Sequence, residues 1–309
     1  MQTSNSIVQE LHDPDWEAKN IRVFFKRDDL IHPLVSGNKW RKLKYHLELC
    51  AARKNTGILT FGGAYSNHLL ACAAVCQEKG LSAVGIVRGD ELNPNSNPTL
   101  RDCAELGMHL RFVARDEYEL RHDRMYQEEW LAEFPNHLLV EEGGAGYYGM
   151  IGCQEIVGEI EVHFDQVWLA MGTGTTSCGV LLGLQEKQTL HAVPVLKGFD
   201  ALATMTTMFG KTGLEKEWIH DQLKKAQVHP EFHFGGYGKY TEELLTFVRS
   251  FYFKHHIPLD PVYTGKAVFA LCDELKKSSC TNTSVLFIHT GGIQGARGIE
   301  EKTGFPLFA

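Results

Sequence analysis

The chain has 309 residues, 43% of them hydrophobic, and carries 31 Lys and Arg against 38 Asp and Glu, a net charge of −7. That is enough apolar material for one large domain or two modest ones, and the acidic balance argues against nucleic acid or an anionic membrane as the main partner. No apolar run approaches the roughly 18 residues of a membrane span, and the first residues, MQTSNSIVQELHDPDWE, lack the basic-then-apolar pattern of a signal peptide, so the expected setting is the cytoplasm.

The first strong signal in chain order is SGNKWRKLKYH, residues 36–46. Gly37 and Asn38 break the chain, and Trp40, Leu43 and Leu47 mark the apolar face of a helix that follows. Lys39 and Lys42 sit in its first turn, at the positive end of the helix dipole, where acidic side chains are the usual choice. GILTFGG (57–63) then predicts a strand, SNHLLACAAVCQEKG a helix, SAVGIVRG a strand, PTLRDCAELG a helix and HLRFVA a strand. After a charged segment, HLLVEEGG reads as a strand, MIGCQEIVGEIEV as a helix, QVWLAMGTG as a strand and TTSCGVLLGLQEK as a helix. AVPVLKG, VHPEFHF (228–234) and SVLFIHTGG supply further strands, with helices around 240–254 and 265–277 between the last two. Strands spaced by helices imply βαβ units, hence an α/β fold with parallel-rich sheets covered on both faces in three αβα layers. The glycine stretch EEGGAGYYG (141–149) is the best internal candidate for a hinge or domain boundary.

The eight cysteines, at 50, 72, 76, 103, 153, 178, 272 and 280, form no CxxC pair, and most lie in apolar, helix-like contexts. They read as reduced core residues. The fifteen histidines show no HExxH spacing and no partner cysteines, so no metal site is expected.

Four glycine- and hydroxyl-rich loops fall at strand ends or helix starts: GNK at 37–39, GGAYSNH at 62–68, MGTGTTSCG at 171–179 and HTGG at 289–292. Ligands of open α/β sheets collect outside the carboxyl ends of the strands, so the four loops are expected to line one crevice. In GTGTT, Gly172 and Gly174 let the backbone approach a ligand, Thr173, Thr175 and Thr176 add hydroxyls, and the helix that follows offers free N–H groups, a combination suited to a phosphate. The loop is neither a Walker A sequence nor GxGxxG, because Ser177 occupies the sixth position from Gly172. Lys42 can neutralise that phosphate. Lys39, three residues earlier on the same helix face, has its basicity lowered by the neighbouring cation and the dipole, and a lysine of lowered pKa attacks aldehydes. A phosphate and an aldehyde-seeking lysine together point to pyridoxal 5′-phosphate (PLP).

The motifs KRDDL, SGNKWRKL, GGAYSNH, GTGTT, GGYGKYTEE, DPVYTGKA and HTGG, in this order, resemble the PLP-dependent enzymes of the tryptophan synthase β-like fold (fold type II), and within them the 1-aminocyclopropane-1-carboxylate (ACC) deaminase/D-cysteine desulfhydrase family. The resemblance runs from residue 24 to residue 298. It implies a two-domain layout, with residues 1–47 and 156–309 as a large PLP-binding domain and 48–155 as a smaller inserted α/β domain, and a homodimer. It implies that Lys39 carries the cofactor and later moves the proton, that Lys42, Thr173, Gly174, Thr175 and Thr176 hold the phosphate, and that Asn67 bonds the ring hydroxyl. Ser66, Asn67 and His68 match the loop that grips the substrate carboxylate, Tyr237 and Tyr263 the two active-site tyrosines, and Thr290 a position near the pyridine nitrogen. Leu70 stands where family members often carry Arg, and Thr175 where Gly is commoner.

Two positions bear on the reaction. Within the family that the chain resembles, members that open the ACC ring tend to carry Glu after the PVY tyrosine and Leu at the HTGG threonine, whereas this chain has Thr264 and Thr290. A carboxylate at the pyridine nitrogen would strengthen the electron sink that ring opening needs; a departing thiolate needs less help. The expectation is therefore α,β-elimination from D-cysteine or a related β-substituted amino acid, to sulfide, pyruvate and ammonia. The alternatives are ACC deamination to 2-oxobutanoate and ammonia, a PLP-dependent racemase or dehydratase, and a non-catalytic PLP-binding homologue.

Overall fold

A computed structural model describes residues 6–35, 37–277 and 279–309. Ser36, the first residue of the lysine motif, and residues 1–5 of the segment read for a leader lie outside the described residues.

Among the described residues ten strands form two sheets. The larger has the order β1 (Val8–Leu11), β2 (Ile21–Lys26), β10 (Thr283–Ile288), β7 (Gln166–Met171), β8 (Thr189–Pro194) and β9 (Ala226–Val228), all parallel except the β1–β2 pair. The smaller has the order β5 (His109–Val113), β4 (Ser82–Arg88), β3 (Gly57–Gly62) and β6 (His137–Val140), all parallel. The four strands of the smaller sheet are consecutive in the chain, between two groups that build the larger.

The alternation of side chains along a strand explains the three layers of the larger sheet. Val23, Phe25, Trp168, Ala170, Val285 and Phe287 share a core with the helices Glu242–His255 and Thr264–Lys276. Their neighbours in sequence, Phe24, Val167, Leu169, Leu286 and Ile288, share a second core with the helices Tyr147–Gly158, Thr175–Gly183 and Ala201–Gly210. Both faces are buried, so the strands read as continuous apolar runs. The smaller sheet repeats the pattern, Ile58 and Val87 facing the helix Asn67–Lys79 while Leu59, Phe61 and Ile86 pack on Tyr118 and Tyr126. The eight cysteines are unpaired, six of them buried. Among the described residues no helix is long and apolar enough to cross a membrane.

Two expectations change. The strand expected over 228–234 stops at Val228, and Pro230–His233 is a 3-10 turn; Pro230 has no N–H to give to a ladder. Strands β1 and β2 are additional, and β2 ends on the fully buried Lys26, whose ammonium donates to Glu159 (2.9 Å) and to the Ser6 carbonyl (3.1 Å).

Candidate active site

The lysine helix, Asn38–Ala52, starts against the end of β10. The Asn38 N–H donates to the Thr290 carbonyl (3.2 Å) and the Gly37 N–H to the Asp28 carbonyl (2.8 Å). Gly37 has φ +61°, and a β-carbon there would lie 2.0 Å from the Thr290 oxygen, so only glycine makes this start. On the far side of the helix Arg41 is buried and grips Asp28 through both Nε and Nη2 (3.1 Å each) as well as Glu159. Arg41 thus faces the body of the protein while Lys39 and Lys42, flanking it, face a cavity.

That cavity is about 1250 Å³ and is lined by residues from all four glycine-rich loops: Lys39 and Lys42, Ser66 and Asn67, Thr173 and Gly174, Thr290 and Gly292. It lies at the carboxyl ends of strands from both sheets, since the loops follow β3, β7 and β10 directly. Burial, and then the charge of Lys42, lower the Lys39 amine from its usual range to about 7. Burial also lowers Lys42, whose ammonium donates to the Gly143 carbonyl (3.2 Å).

Gly174, at φ +89°, precedes the helix Thr175–Gly183, and no side chain caps that end. The first N–H groups of a helix have no intrahelical partner. Thr176 lines the cavity and its hydroxyl accepts from Asn38 Nδ2 (2.9 Å). Thr175 behaves differently from the expectation: it is fully buried and does not line the cavity, its hydroxyl lying 3.3 Å from that of Thr173. Ser177, which the motif reading passed over, lines the cavity with a buried hydroxyl that has no partner among the described residues.

Ser66 caps the helix Asn67–Lys79, accepting from the Leu69 N–H (3.3 Å), and also lines the cavity. Asn67 Nδ2 donates to the Gly292 carbonyl (3.4 Å), which fixes the amide and leaves Oδ1 as a buried acceptor with no partner among the described residues. His68 is turned inward. Thr60 donates to the Val140 carbonyl (2.6 Å), so its oxygen is left to accept from His68 Nε2 (2.9 Å). Burial holds this imidazole far below its usual pKa, so the ring is neutral, and residue 68 lines the cavity beside Ser66 and Asn67. Leu70 is buried in the core of the smaller sheet.

Tyr237 and Tyr263 meet edge to face, 5.9 Å between ring centres. Burial raises the Tyr263 phenol well above its usual range, with Tyr237 beside it adding to the shift, so Tyr263 keeps its proton; the half-exposed Tyr237 is raised as well by the atoms packed around its phenol. Thr264 faces away from the cavity. Its hydroxyl donates to Asp260 Oδ1 (2.8 Å) and accepts from the Asp260 N–H (2.9 Å). Asp260 is fully buried and also accepts from the N–H groups of Val262, Tyr263 and Thr264. Thr290 does line the cavity. Its loop is shaped by His289, whose Nε2 donates to the Pro258 carbonyl (2.7 Å) while Nδ1 accepts from the Gly291 N–H (3.2 Å).

The rim facing the smaller sheet was not anticipated. Glu142 lines it, accepting from the Tyr118 hydroxyl (2.9 Å) and from Arg121 Nε (2.8 Å), with Arg88 nearby on the same cavity wall. EEGG read only as a hinge or domain boundary because its charges gain a role only once Tyr118 and Arg121 are brought against them.

These residues fit a phosphorylated pyridine aldehyde. An amine near neutrality, an uncapped helix start beside a cation, an orphaned hydroxyl at Ser177 and an orphaned acceptor at Asn67 are what the aldehyde, the phosphate and a ring hydroxyl would each use.

The comparisons agree. The family model described as pyridoxal-phosphate dependent enzyme matches residues 8–291. A Pyrococcus horikoshii protein with the provisional name 1-aminocyclopropane-1-carboxylate deaminase is 35% identical over 285 residues, which are 88% of this chain and 85% of that one. The Arabidopsis thaliana mitochondrial bifunctional D-cysteine desulfhydrase/1-aminocyclopropane-1-carboxylate deaminase is 28% identical over 301 residues, 88% of this chain and 73% of that one. The crystal structure of an ACC deaminase homologue superposes with a TM-score of 0.79 at 30% identity, covering 97% of this chain and 93% of the other. The chain is therefore a member of the pyridoxal-phosphate dependent enzymes of fold type II, with its relatives on the ACC deaminase/D-cysteine desulfhydrase branch.

Proposed function

We propose that the site carries out α,β-elimination on D-cysteine or a related β-substituted amino acid: D-cysteine and water give pyruvate, ammonia and sulfide. One observation carries this reading. The segment that follows the PVY tyrosine presents no carboxylate to the cavity: Thr264 is bonded to Asp260, and Asp260 is occupied by three N–H groups and that hydroxyl. Beside it, Thr290 offers only a hydroxyl.

When bound, PLP supplies an electron sink for the substrate's α-carbon. The protein's own residues do the rest. Lys39, near 7, both accepts and returns a proton at neutral pH. Ser66 and the first N–H groups of the helix Asn67–Lys79 suit a carboxylate, because an anion is favoured at a helix start. Tyr263 stays protonated and so can donate to a departing sulfur. Expulsion of a thiolate relieves the sink, whereas opening the ACC ring relies on it more heavily, and no carboxylate stands at that end of the cavity to strengthen it.

ACC deamination to 2-oxobutanoate and ammonia is the second reading, favoured by the names of the relatives. The working unit we infer is a pair of chains acting on a small amino acid. The deciding experiment gives the PLP-loaded protein D-cysteine, L-cysteine and ACC in parallel, and measures pyruvate, sulfide and 2-oxobutanoate, with the mass of the same preparation read by light scattering. Pyruvate and sulfide from D-cysteine support the elimination; 2-oxobutanoate from ACC without them replaces it with ring opening.

A further inference from the structure

Lys266 lies in the helix Thr264–Lys276, one turn after Tyr263, and its side chain is fully buried. A buried ammonium is costly unless its donors are satisfied. Here Nζ donates to two backbone carbonyls, of His233 and of Gly236, each at 2.8 Å. Those carbonyls belong to the segment that presents Tyr237. Four of its residues have positive φ: Phe234 (+50°), Gly235 (+92°), Gly236 (+113°) and Gly238 (+67°). Glycines in such conformations carry the largest backbone entropy in any alternative state, so the segment has little tendency of its own to hold one shape. Next to it Tyr263 is fixed differently, through Asp260, which accepts its N–H (2.8 Å).

We propose that Lys266 is the positioning residue of the tyrosine pair: one helix carries Tyr263 at its start and, a turn later, an ammonium that pins the loop bearing Tyr237, so the two rings meet as a unit. A charge-assisted bond to a carbonyl is stronger than a neutral one, and two on one nitrogen fix the loop's distance and direction together. Burial lowers this amine to about 8, offset by the charge of Asp260, so it remains mostly protonated at neutral pH. A hydrophobic residue of similar length would pack there at least as well; what it would lose is the hold on residues 233–236.

The inference rests on the proposed reading only in giving Tyr237 a part in the reaction, so its test is one that needs no substrate. Hydrogen exchange of the PLP-loaded protein would be followed at the amides of 234–239 in wild type, Lys266→Met and Lys266→Arg. Expected for Lys266→Met is a tenfold or larger loss of protection confined to 234–239, with the helix Thr264–Lys276 and the sheet unchanged, and for Lys266→Arg a smaller loss. If Lys266→Met fails to fold, Lys266→Gln replaces it: its amide nitrogen ends one bond short of both carbonyls, and the same local loss is expected. Exchange at 234–239 equal to wild type, or a loss spread through the helix and sheet, overturns the positioning role. With a substrate in hand, kcat should fall more than KM rises in Lys266→Met. A wild-type protein inert toward every amino acid would count against the elimination reading and leave the exchange result standing.

Discussion

Lys42 stands one turn after Lys39 on the same helix face, and its charge is the second cause, after burial, of the lowered basicity of Lys39. The two cations that looked misplaced at a helix start are therefore coupled. Lys42→Met should move the pH midpoint for reaction of the unliganded protein's Lys39 with a small aldehyde upward from about 7, with the reactive fraction at pH 7 falling. It should also weaken PLP binding through loss of a phosphate partner. A midpoint that does not move, read by reductive alkylation and peptide mapping, would remove Lys42 from the account.

Gly37→Ala should be among the most damaging single-carbon additions in the chain. The left-handed φ costs a non-glycine residue about 1 kcal/mol, and the overlap with the Thr290 carbonyl adds overpacking of about 1–3 kcal/mol. Thermal denaturation should show the loss, and PLP titration should show a poorer site, because the lysine helix and the Thr290 loop must separate to admit the methyl group.

Removing the tyrosines should separate chemistry from binding. Tyr263→Phe keeps the ring contact with Tyr237 and loses one proton donor, so turnover should fall by about 10²–10⁴ while PLP binding is retained. A turnover close to wild type would take Tyr263 out of the proton inventory. Tyr237, 47% exposed on the open side of the pair, should show the smaller loss.

Acid should destabilise the protein in two overlapping stages, of which only the first acts above pH 4.5. His191 stacks on Trp168 (4.3 Å) and bonds His229 (3.0 Å), and burial lowers its imidazole from 6.5 to about 3. The unfolded chain binds that proton first, so stability is full above pH 6.5 and declines as pH falls toward 3. Glu159 is lowered to about 2: burial opposes the shift, but the bonds from Arg41 and Lys26 outweigh it. Its contribution is present above the unfolded value near 4.5 and is lost as pH falls through 2. Denaturant unfolding across this range should show His191→Phe with a flatter slope between pH 6.5 and 4.5, and Glu159→Gln with a flatter slope below 4.5. A His191→Phe profile parallel to wild type would refute the first assignment.

Arg41 is the buried cation shared by Glu159 and Asp28. Arg41→Met leaves Asp28, fully buried, without its main cation, and breaking such a pair costs about 3–5 kcal/mol. Asp28→Asn with Arg41→Met should recover part of that loss, and a double-mutant cycle checks it.

The parts of the fold that were legible in the sequence are those where pattern and burial agree. GILTFG and SAVGIVR are uninterrupted apolar strands between clear helices, and the structure has them as β3 and β4. IRVFFK was harder, because Lys26 ends it with a charge; the strand is real because Glu159, far along the chain, neutralises that lysine in the core. At the site, the glycine loops were legible because a tight turn leaves a local mark. The helix begins at Thr175 as read, yet Ser177 and not Thr175 reaches the cavity: successive residues of a helix point about 100° apart, and which of them meets the cavity is set by neighbours far along the chain. Lys266 was illegible for the reason Lys26 was: a lysine, on a helix or at a strand end, reads as solvated until its partners are known.

The smaller sheet is inserted between the lysine helix and β7, so the chain crosses from one sheet to the other and back. A nick within 141–149 would leave Lys39 and Asn67 on one fragment and Thr173, Tyr263 and Thr290 on the other. Neither fragment would own a complete site, and the yellow of bound cofactor would return only when the two pieces reassociate, which makes PLP absorbance a direct gauge of fragment complementation.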